Sequence, residues 1–217
     1  MKRAIILFLA IVLSANLIYS ADTLPDFPLV NYTLKINRNE KSSVKHSKFE
    51  ILQQPFENAH ELTKACLSCH TERDKEIMAT SHWNWERSEQ MKGKGVVPLG
   101  KRNILNNFCI GTMSNEKTCT RCHIGYGWED KNFDFSDPLN IDCVVCHDQT
   151  ATYLKEKGQA GYPKESVDLN YVAQNVGRPT RNNCGICHFW GGGGNNVKHG
   201  DLEISRENPG RSIDVHM

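Results

Sequence analysis

Eight cysteines and four histidines recur in one pattern, which is the clearest chemical signal of the chain. Two cysteines stand three positions apart with a histidine directly after the second: Cys66, Cys69 and His70; Cys119, Cys122 and His123; Cys143, Cys146 and His147; Cys184, Cys187 and His188. Two thiols at this spacing can reach the two vinyl groups on one edge of a porphyrin and form thioethers. The next histidine can then give a nitrogen to the iron. The pattern C-x-x-C-H is therefore the attachment signature of c-type haem.

Zinc ribbons and redox dithiols are the alternative explanations for paired cysteines. A zinc ribbon does not require a histidine after each second cysteine. With histidine at 9 of 217 positions, four such coincidences have a probability of about 3 × 10⁻⁶. Redox dithiols occur singly, near a βαβ pattern that this sequence lacks. The sequence therefore predicts four covalently bound haem c groups, and it leaves Cys109 as the one cysteine outside the motifs.

Each haem iron takes a second axial ligand, and few residues beyond the motifs can supply one. The two ligand nitrogens of one iron lie about 4 Å apart. His82 follows His70 by twelve residues, which is about 18 Å along a helix. We therefore expect His82 to bind a neighbouring haem and to favour a tight stack of haems. The other histidines divide into candidate ligands, His199 and His216, and expected surface residues, His46 and His60.

The first residues determine the expected compartment. Lys2 and Arg3 precede an unbroken apolar run, Ala4–Leu13, and a mixed stretch continues to Ser20. This order is typical of a secretory signal peptide, here residues 1–20, and predicts a periplasmic protein. An uncleaved anchor is the alternative, and it would be the chain's one membrane contact. The apolar run is, however, short for a span of about 20 residues.

The rest of the chain is predicted to be mainly α-helical with extensive loops, its short helices wrapped around stacked haems. Residues 21–58 contain no cysteine and carry three prolines, so they are expected to form an extended lead-in to a tetrahaem domain, residues 59–217. Helical patterns cover Glu61–Cys69, Glu72–Trp83 and Ser166–Val176, and glycines indicate loops at Gly93–Gly100, Gly125–Gly127 and Gly191–Gly194. The haems would replace much of the side-chain core.

The charge balance excludes one class of partner. The chain carries 26 Lys and Arg against 25 Asp and Glu, a net charge of +1, whereas a nucleic-acid-binding domain has a clear excess of positive charge. With 24% charged and 39% hydrophobic residues, it is neither a disordered tail nor a multispan membrane protein. Redox partner proteins and a small inorganic substrate are the partners that remain.

Six stretches give the chain a more specific likeness: Thr63–His70, Met78–Trp85, Asn106–Cys109, Gly125–Trp128, Lys131–Phe135 and Gly191–Asp201. They resemble the octahaem tetrathionate reductases, a family of multihaem c-type cytochromes, over roughly residues 60–217. The family carries eight haems, whereas this chain has four motifs and looks like the N-terminal half. A truncated reading frame, a split gene whose second half carries further haems, and a true four-haem relative all stay open.

The resemblance implies a particular reaction site. In such enzymes one haem has Lys instead of His as its distal ligand. The matching lysine in this chain is Lys198, and the matching haem is the one attached at the motif of His123. The resemblance also implies a free cysteine beside that haem, Cys109, and makes Asn106 a candidate pocket residue. Composition alone would make Lys198 a solvated residue and Cys109 an inert thiol.

Lys198 and His199 are consecutive, so their side chains are expected to point to opposite sides of an extended segment and to reach two different haems. We expect the glycines before them to leave room for close approach to a porphyrin. Lys155 and Lys164 are expected to be solvated.

The ligands distinguish two function classes. A haem with two histidine ligands has both axial positions filled and passes electrons. A Lys amine binds iron only when neutral, and its departure would admit an oxidised sulfur or nitrogen species such as tetrathionate, nitrite or hydroxylamine. The first class is therefore a reductase of such species. The second is a four-haem electron carrier without catalytic activity, which would bind none of these molecules.

Overall fold

The computed structural model of the chain describes residues 44–106, 109–191, 194–210 and 212–213. The predicted signal peptide, residues 21–43 of the lead-in and His216 lie outside these ranges. The described residues all lie in one compact unit, Ile36–Met217. Within the described ranges, no helix is long and apolar enough to cross a membrane.

Short helices separated by long loops form most of the described chain. The helices are α1 Ala59–Cys69, α2 Arg73–Met78, α3 Ser81–Asn84, α4 Glu116–Cys119, α5 Val144–His147, α6 Leu169–Gln174 and α7 Arg181–His188. Single 3-10 turns lie at His46–Lys48, Glu50–Leu52, Thr120–Cys122, Pro138–Asn140 and Ile204–Arg206. One antiparallel hairpin joins β1 Arg87–Met91 to β2 Gly95–Leu99.

Helix α1 confirms the prediction for Glu61–Cys69 and begins two residues earlier. Asn58 caps it, because its side chain accepts a hydrogen bond of 3.0 Å from the backbone N–H of Glu61. The helix buries Leu62 and Ala65. The two cysteines of the first motif therefore lie on its last turn, next to the core.

The prediction of one continuous helix for Glu72–Trp83 is wrong, because the segment forms two helices, α2 and α3. Thr80 interrupts it with an extended backbone, and its side chain caps α3 by accepting from the backbone N–H of Trp83. The break turns Trp83 into the core, where it is 1% exposed. It also sets His82 on a separate turn from the first haem motif.

A loop is predicted at Gly93–Gly100, but most of this segment is a strand, because Gly95–Leu99 pairs with Arg87–Met91. Gly93 and Gly95 both have a φ of +78° at the turn, a conformation that glycine adopts without steric cost. Valine at positions 96 and 97 favours the strand. The glycines therefore form the turn of a hairpin and not a longer loop.

The described part of the lead-in forms two 3-10 turns, not an extended segment. Asn170 on α6 holds it in place, because its side chain donates to the carbonyl of Leu52 at 3.3 Å and accepts from the N–H of Phe56 at 3.1 Å. Helix α6 itself is shorter than the predicted Ser166–Val176, since Asp168 caps it through the N–H of Tyr171. These contacts fix the position of His46.

The core lies between the motif-bearing segments. Its fully buried members include Leu62, Trp83, Ile141, Val144 and Val172. Helices α5 and α7, which carry the third and fourth motifs, contact each other. The predicted architecture of short helices and loops is therefore observed, with one small sheet added.

Candidate haem-binding sites

The eight cysteines of the four motifs are free thiols, and four of them meet in two pairs. The Cys143 thiol donates to Cys66, which joins the first motif to the third. The Cys187 thiol donates to Cys122, which joins the second motif to the fourth. The four motifs therefore converge. Among the described residues, however, no three His, Cys, Asp or Glu side chains are arranged to hold one metal ion, as a zinc ribbon would require.

Cations lie beside the second pair. The hydrogen bond from Cys187 lowers the pKa of the Cys122 thiol, and the nearby Lys198 and Lys101 lower it further. In the first pair, the hydrogen bond from Cys143 likewise lowers the pKa of Cys66. Positive charge therefore lies beside the sulfurs through which the second and fourth motifs meet.

Two motif histidines have the orientation that an iron ligand needs. His147 donates through Nδ1 to the carbonyl of Gly177 at 2.7 Å, and His188 donates through Nδ1 to the carbonyl of Gly200. A metal-binding histidine commonly donates its other ring N–H in this way, which fixes both the tautomer and the ring direction. The Nε2 atoms of His147 and His188 are thus directed to act as ligands.

Two pairs of histidine rings have the separation of axial ligands on one iron. The ring centroids of His46 and His70 are 6.2 Å apart, and those of His82 and His188 are 6.0 Å apart. Iron–nitrogen bonds of about 2 Å on each side of a metal put two imidazole centroids about 6 Å apart. His82 therefore lies beside the histidine of the fourth motif and not beside that of the first, and its ligation of an iron stays a prediction.

The expectation of a surface position for His46 and His60 is wrong for both residues. Each is half-buried. Burial, followed by the charges of His70 and His147, lowers the pKa of His46. The Nε2 atom of His60 instead pairs with the Asn140 side chain at 3.1 Å, and its ring packs edge-on against the stacked rings of Tyr126 and Tyr162. His46 is therefore a candidate ligand that spacing did not reveal, whereas His60 is a packed residue.

The second motif fits a haem less directly. His123 is fully buried, and its Nε2 donates to the carbonyl of Trp83 at 2.7 Å. Its Nδ1 is buried without a partner among the described residues, and burial lowers its pKa to about 3. Five aromatic rings surround it: Trp83, Trp85, Trp128, Phe133 and Phe135. An iron bond through Nε2 requires this ring to leave the Trp83 carbonyl.

Lys198 reaches the second motif, and its surroundings differ from those of a solvated lysine. Its side chain is 17% exposed. The amine donates to the carbonyl of Cys187 at 3.1 Å and to the sulfur of Cys122 at 3.5 Å. Asp201 lies 3.6 Å away and also accepts from the backbone N–H of Lys198 at 2.9 Å. A side chain at Gly191 would collide with this amine, so the glycine leaves room for Lys198 itself.

Lys198 lines a cavity of about 280 Å³. His82, Cys122, Cys187 and His188 contribute to the same walls. Two thiols from different motifs and a facing pair of histidines thus open onto one space. The cavity therefore brings side chains of the second and fourth motifs together.

Lys101 is a cavity residue that the sequence did not single out. Its amine lies 4.5 Å from the centre of the Trp85 ring. Burial and then the charge of Lys198 lower its pKa. No motif contains it, and nothing in its spacing distinguishes it from exposed lysines, so only the folded chain reveals it.

The remaining predicted residues lie around this cavity in different ways. His199 lines it, but its Nε2 donates to the carbonyl of Leu105 at 2.9 Å. The side chain of Asn106 accepts from the backbone N–H of His199 at 3.4 Å. Cys109 is exposed and has a φ of +57°. Lys198 and His199 thus reach different partners, and neither Asn106 nor Cys109 is among the lining residues that the structure describes.

The expectation that Lys155 is solvated is wrong. It is 3% exposed, and its amine pairs with Asp142 at 3.0 Å. The same amine donates to the carbonyls of His123 at 2.6 Å and Gly125 at 3.0 Å. Asp142 directly precedes Cys143, so this buried pair ties the second motif to the third. Lys164 is exposed as expected, with 42% of its side chain accessible.

Known proteins support the haem assignment. A crystal structure of octahaem cytochrome c from Shewanella oneidensis matches with a TM-score of 0.69 and 46% sequence identity, over 81% of this chain and 38% of that chain. This chain therefore spans well under half the length of that structure.

An uncharacterised protein of Archaeoglobus fulgidus is 22% identical over 224 residues, which cover 80% of this chain and 74% of that protein. No protein-family model matches the sequence. The likeness at 46% identity and the repeated C-x-x-C-H motif together support the assignment of this chain to the multihaem c-type cytochromes.

Proposed function

We propose that this chain is an exported cytochrome that transfers electrons through four covalent haem c groups and reduces a small oxidised sulfur or nitrogen species beside Lys198. Tetrathionate, nitrite and hydroxylamine are the candidate substrates, and redox proteins, or a second half carrying further haems, are the candidate partners. The position of the Lys198 amine, 3.5 Å from the sulfur of Cys122, is the observation that carries the proposal.

The attachment points support transfer between neighbours. The Cys66–Cys143 and Cys122–Cys187 contacts pair the first motif with the third and the second with the fourth. The charge of Cys184 helps to raise the pKa of Cys146, after burial and Asp142, so the third and fourth motifs are also close. The motifs are therefore neighbours in the order first, third, fourth, second, which differs from their order along the chain.

The candidate axial ligands distinguish haems whose iron would have both positions filled from one haem with a position that can open. His46 faces His70 and His82 faces His188, and each pair would fill both axial positions of an iron. Haem, when bound, supplies single electrons and an iron site whose reactivity depends on its axial ligands. At the second motif, the amine of Lys198 would take the axial position that an imidazole has in the two histidine pairs.

The residues around Lys198 hold its amine in place. The carbonyl of Cys187 accepts from it, the Asp201 carboxylate forms an ion pair with it at 3.6 Å, and the missing side chain of Gly191 gives it space. Trp85 covers the cavity from another side. The chain's own contribution is to position the amine, to allow its displacement by substrate, and to limit the access of water.

Replacement of Lys198 by Ala tests the proposal in the fully haem-loaded protein. We expect one haem in four to change its optical spectrum, nitrite and cyanide to bind there faster, and turnover to fall. Lys164→Ala is the matched control, because 42% of the Lys164 side chain is accessible and its amine lies 3.7 Å from the Glu156 carboxylate. An unchanged spectrum and unchanged ligand binding in Lys198→Ala would contradict the proposal.

A four-haem electron carrier without catalysis is the second candidate. The facing pairs His46–His70 and His82–His188 favour it, because a haem with two imidazole ligands has no open axial position. A carrier would bind no nitrite, cyanide or hydroxylamine at any haem. Optical titration of the wild-type protein with these three molecules therefore separates the two functions.

A further inference from the structure

The cavity beside Lys198 contains a second amine, that of Lys101, which iron ligation by Lys198 leaves without a role. The two lysines have different surroundings. The Lys198 amine has two hydrogen-bond acceptors, the Cys187 carbonyl and the Cys122 sulfur, and it forms an ion pair with Asp201 at 3.6 Å. The Lys101 amine has the face of the Trp85 ring, at 4.5 Å, and no hydrogen bond or ion pair with any residue that the structure describes.

Lys101 is nevertheless held in a fixed position. Its carbonyl accepts a hydrogen bond of 2.8 Å from the hydroxyl of Thr112, a residue that is 1% exposed. The aromatic ring fixes the other end of the side chain through a cation–π contact. A cation that is positioned but not neutralised is suited to bind an anion that comes from outside the chain.

The other charged groups of the cavity do not neutralise Lys101. Glu86 is the acidic residue among the lining residues, and Arg102 lies 3.9 Å from its carboxylate while Asn103 donates to it at 3.2 Å. Arg87 also lies in the cavity wall, and its guanidinium pairs with Glu89. Glu86, Arg87 and Lys198 thus each have a partner of opposite charge, whereas Lys101 has none among the described residues. Burial strengthens the attraction of this amine for an anion.

We propose that Lys101 is a specificity-determining residue that binds an oxygen of an anionic substrate, such as nitrite or tetrathionate, beside the Lys198 amine. This inference rests on the proposed reductase function, and it adds that the site prefers anions to neutral substrates. A carboxylate of a bound haem has the same chemistry as a small oxyanion. The small anion is favoured, because Lys101 shares its cavity with the amine that substrate would displace.

The test compares a charged and an uncharged ligand in the haem-loaded protein. Nitrite is an anion, whereas hydroxylamine is mainly uncharged at neutral pH, and both can be titrated optically. In Lys101→Met we expect the Kd of nitrite to rise about tenfold or more, since the variant removes a charge-assisted hydrogen bond. The Kd of hydroxylamine should stay within about twofold, and Lys101→Arg should restore most of the nitrite affinity.

Lys94→Met is the matched control, because Lys94 is an exposed residue of the hairpin turn in the same region of the chain. It should change neither Kd. Equal weakening of both ligands in Lys101→Met would overturn the inference. So would unchanged nitrite binding with a shifted haem spectrum or midpoint potential in the absence of ligand, which would assign Lys101 to a haem carboxylate or to the iron itself.

The two proposals fail in different ways. If the wild-type protein binds neither nitrite nor hydroxylamine, the proposed reductase function fails, and the inference fails with it. If the wild type binds both and Lys101→Met binds both equally well, only the role of Lys101 fails.

Discussion

The imidazole rings of His46 and His70 face each other with their centroids 6.2 Å apart and their planes inclined by 21°. His46 precedes the first haem motif by twenty residues and lies on a 3-10 turn of the lead-in. Two imidazoles on one iron have about this separation. The lead-in therefore brings a candidate second axial ligand to the motif that follows it.

His46→Ala should consequently remove one axial ligand and alter only the haem attached at Cys66 and Cys69. We expect a new high-spin signal from one haem in electron paramagnetic resonance, together with carbon monoxide binding after reduction. His60→Ala is the control, because the Nε2 atom of His60 is paired with Asn140. A spectrum of His46→Ala identical to that of the wild type would exclude His46 as a ligand.

The C-x-x-C-H motif predicts the attachment points without reference to the fold, because it is a local pattern. The same holds for α1, whose cap at Asn58 and buried residues lie within a few positions of each other. His46 could not be assigned in this way. Its position depends on contacts such as that between Asn170 and Leu52, which are 118 residues apart in the sequence.

Lys155 and Lys101 show a second limit of the sequence. Lysine is almost always exposed, so residue type alone predicts solvation for both. Lys155 is buried because Asp142 and two backbone carbonyls surround its amine. These partners belong to the part of the chain that runs from the second motif to Asp142. No spacing rule connects them to Lys155.

The haem count can be measured directly. We expect four haems per chain, which adds about 2.5 kDa to the intact mass of the apoprotein. Cys109→Ala should keep this mass increment, since Cys109 lies outside the motifs. The double variant Cys184→Ala/Cys187→Ala should lose one quarter of the increment. A wild-type protein that carries zinc or no covalent group would refute the assignment.

Asp201 should control the position of Lys198. Its side chain is fully buried, accepts from the backbone N–H groups of Val197 at 3.1 Å and Lys198 at 2.9 Å, and lies 3.6 Å from the Lys198 amine. Asp201→Ala should therefore free both the loop and the amine, and ligand binding should approach the rate seen in Lys198→Ala. Glu203→Ala, two residues along at an exposed position, should bind ligands at the wild-type rate.

The buried Lys155–Asp142 pair should matter for stability. Lys155→Met leaves the Asp142 carboxylate buried without its cation, which typically costs about 3–5 kcal/mol. The hydroxyl groups of Tyr126 and Tyr153 still donate to Asp142, so we expect a loss near the lower end, about 3 kcal/mol. Denaturant unfolding at equal haem content measures it. Lys164→Met should change the free energy of unfolding by less than about 0.5 kcal/mol, and a similar small change in Lys155→Met would refute the role of the pair.

Gly191→Ala offers a test of the Lys198 site that leaves every proposed ligand in the sequence. The added methyl group would collide with the Lys198 amine and lie 2.9 Å from the carbonyl of Cys187. The end of a lysine side chain moves more easily than a backbone carbonyl, so the amine should shift away from Cys122. We expect the same haem to change its spectrum as in Lys198→Ala, but to a smaller extent. Gly210→Ala is the control, because a side chain at Gly210 would meet no atom within 4 Å. If Gly191→Ala changes a different haem, or none while Lys198→Ala changes one, the amine is not held beside Gly191 in the haem-loaded protein.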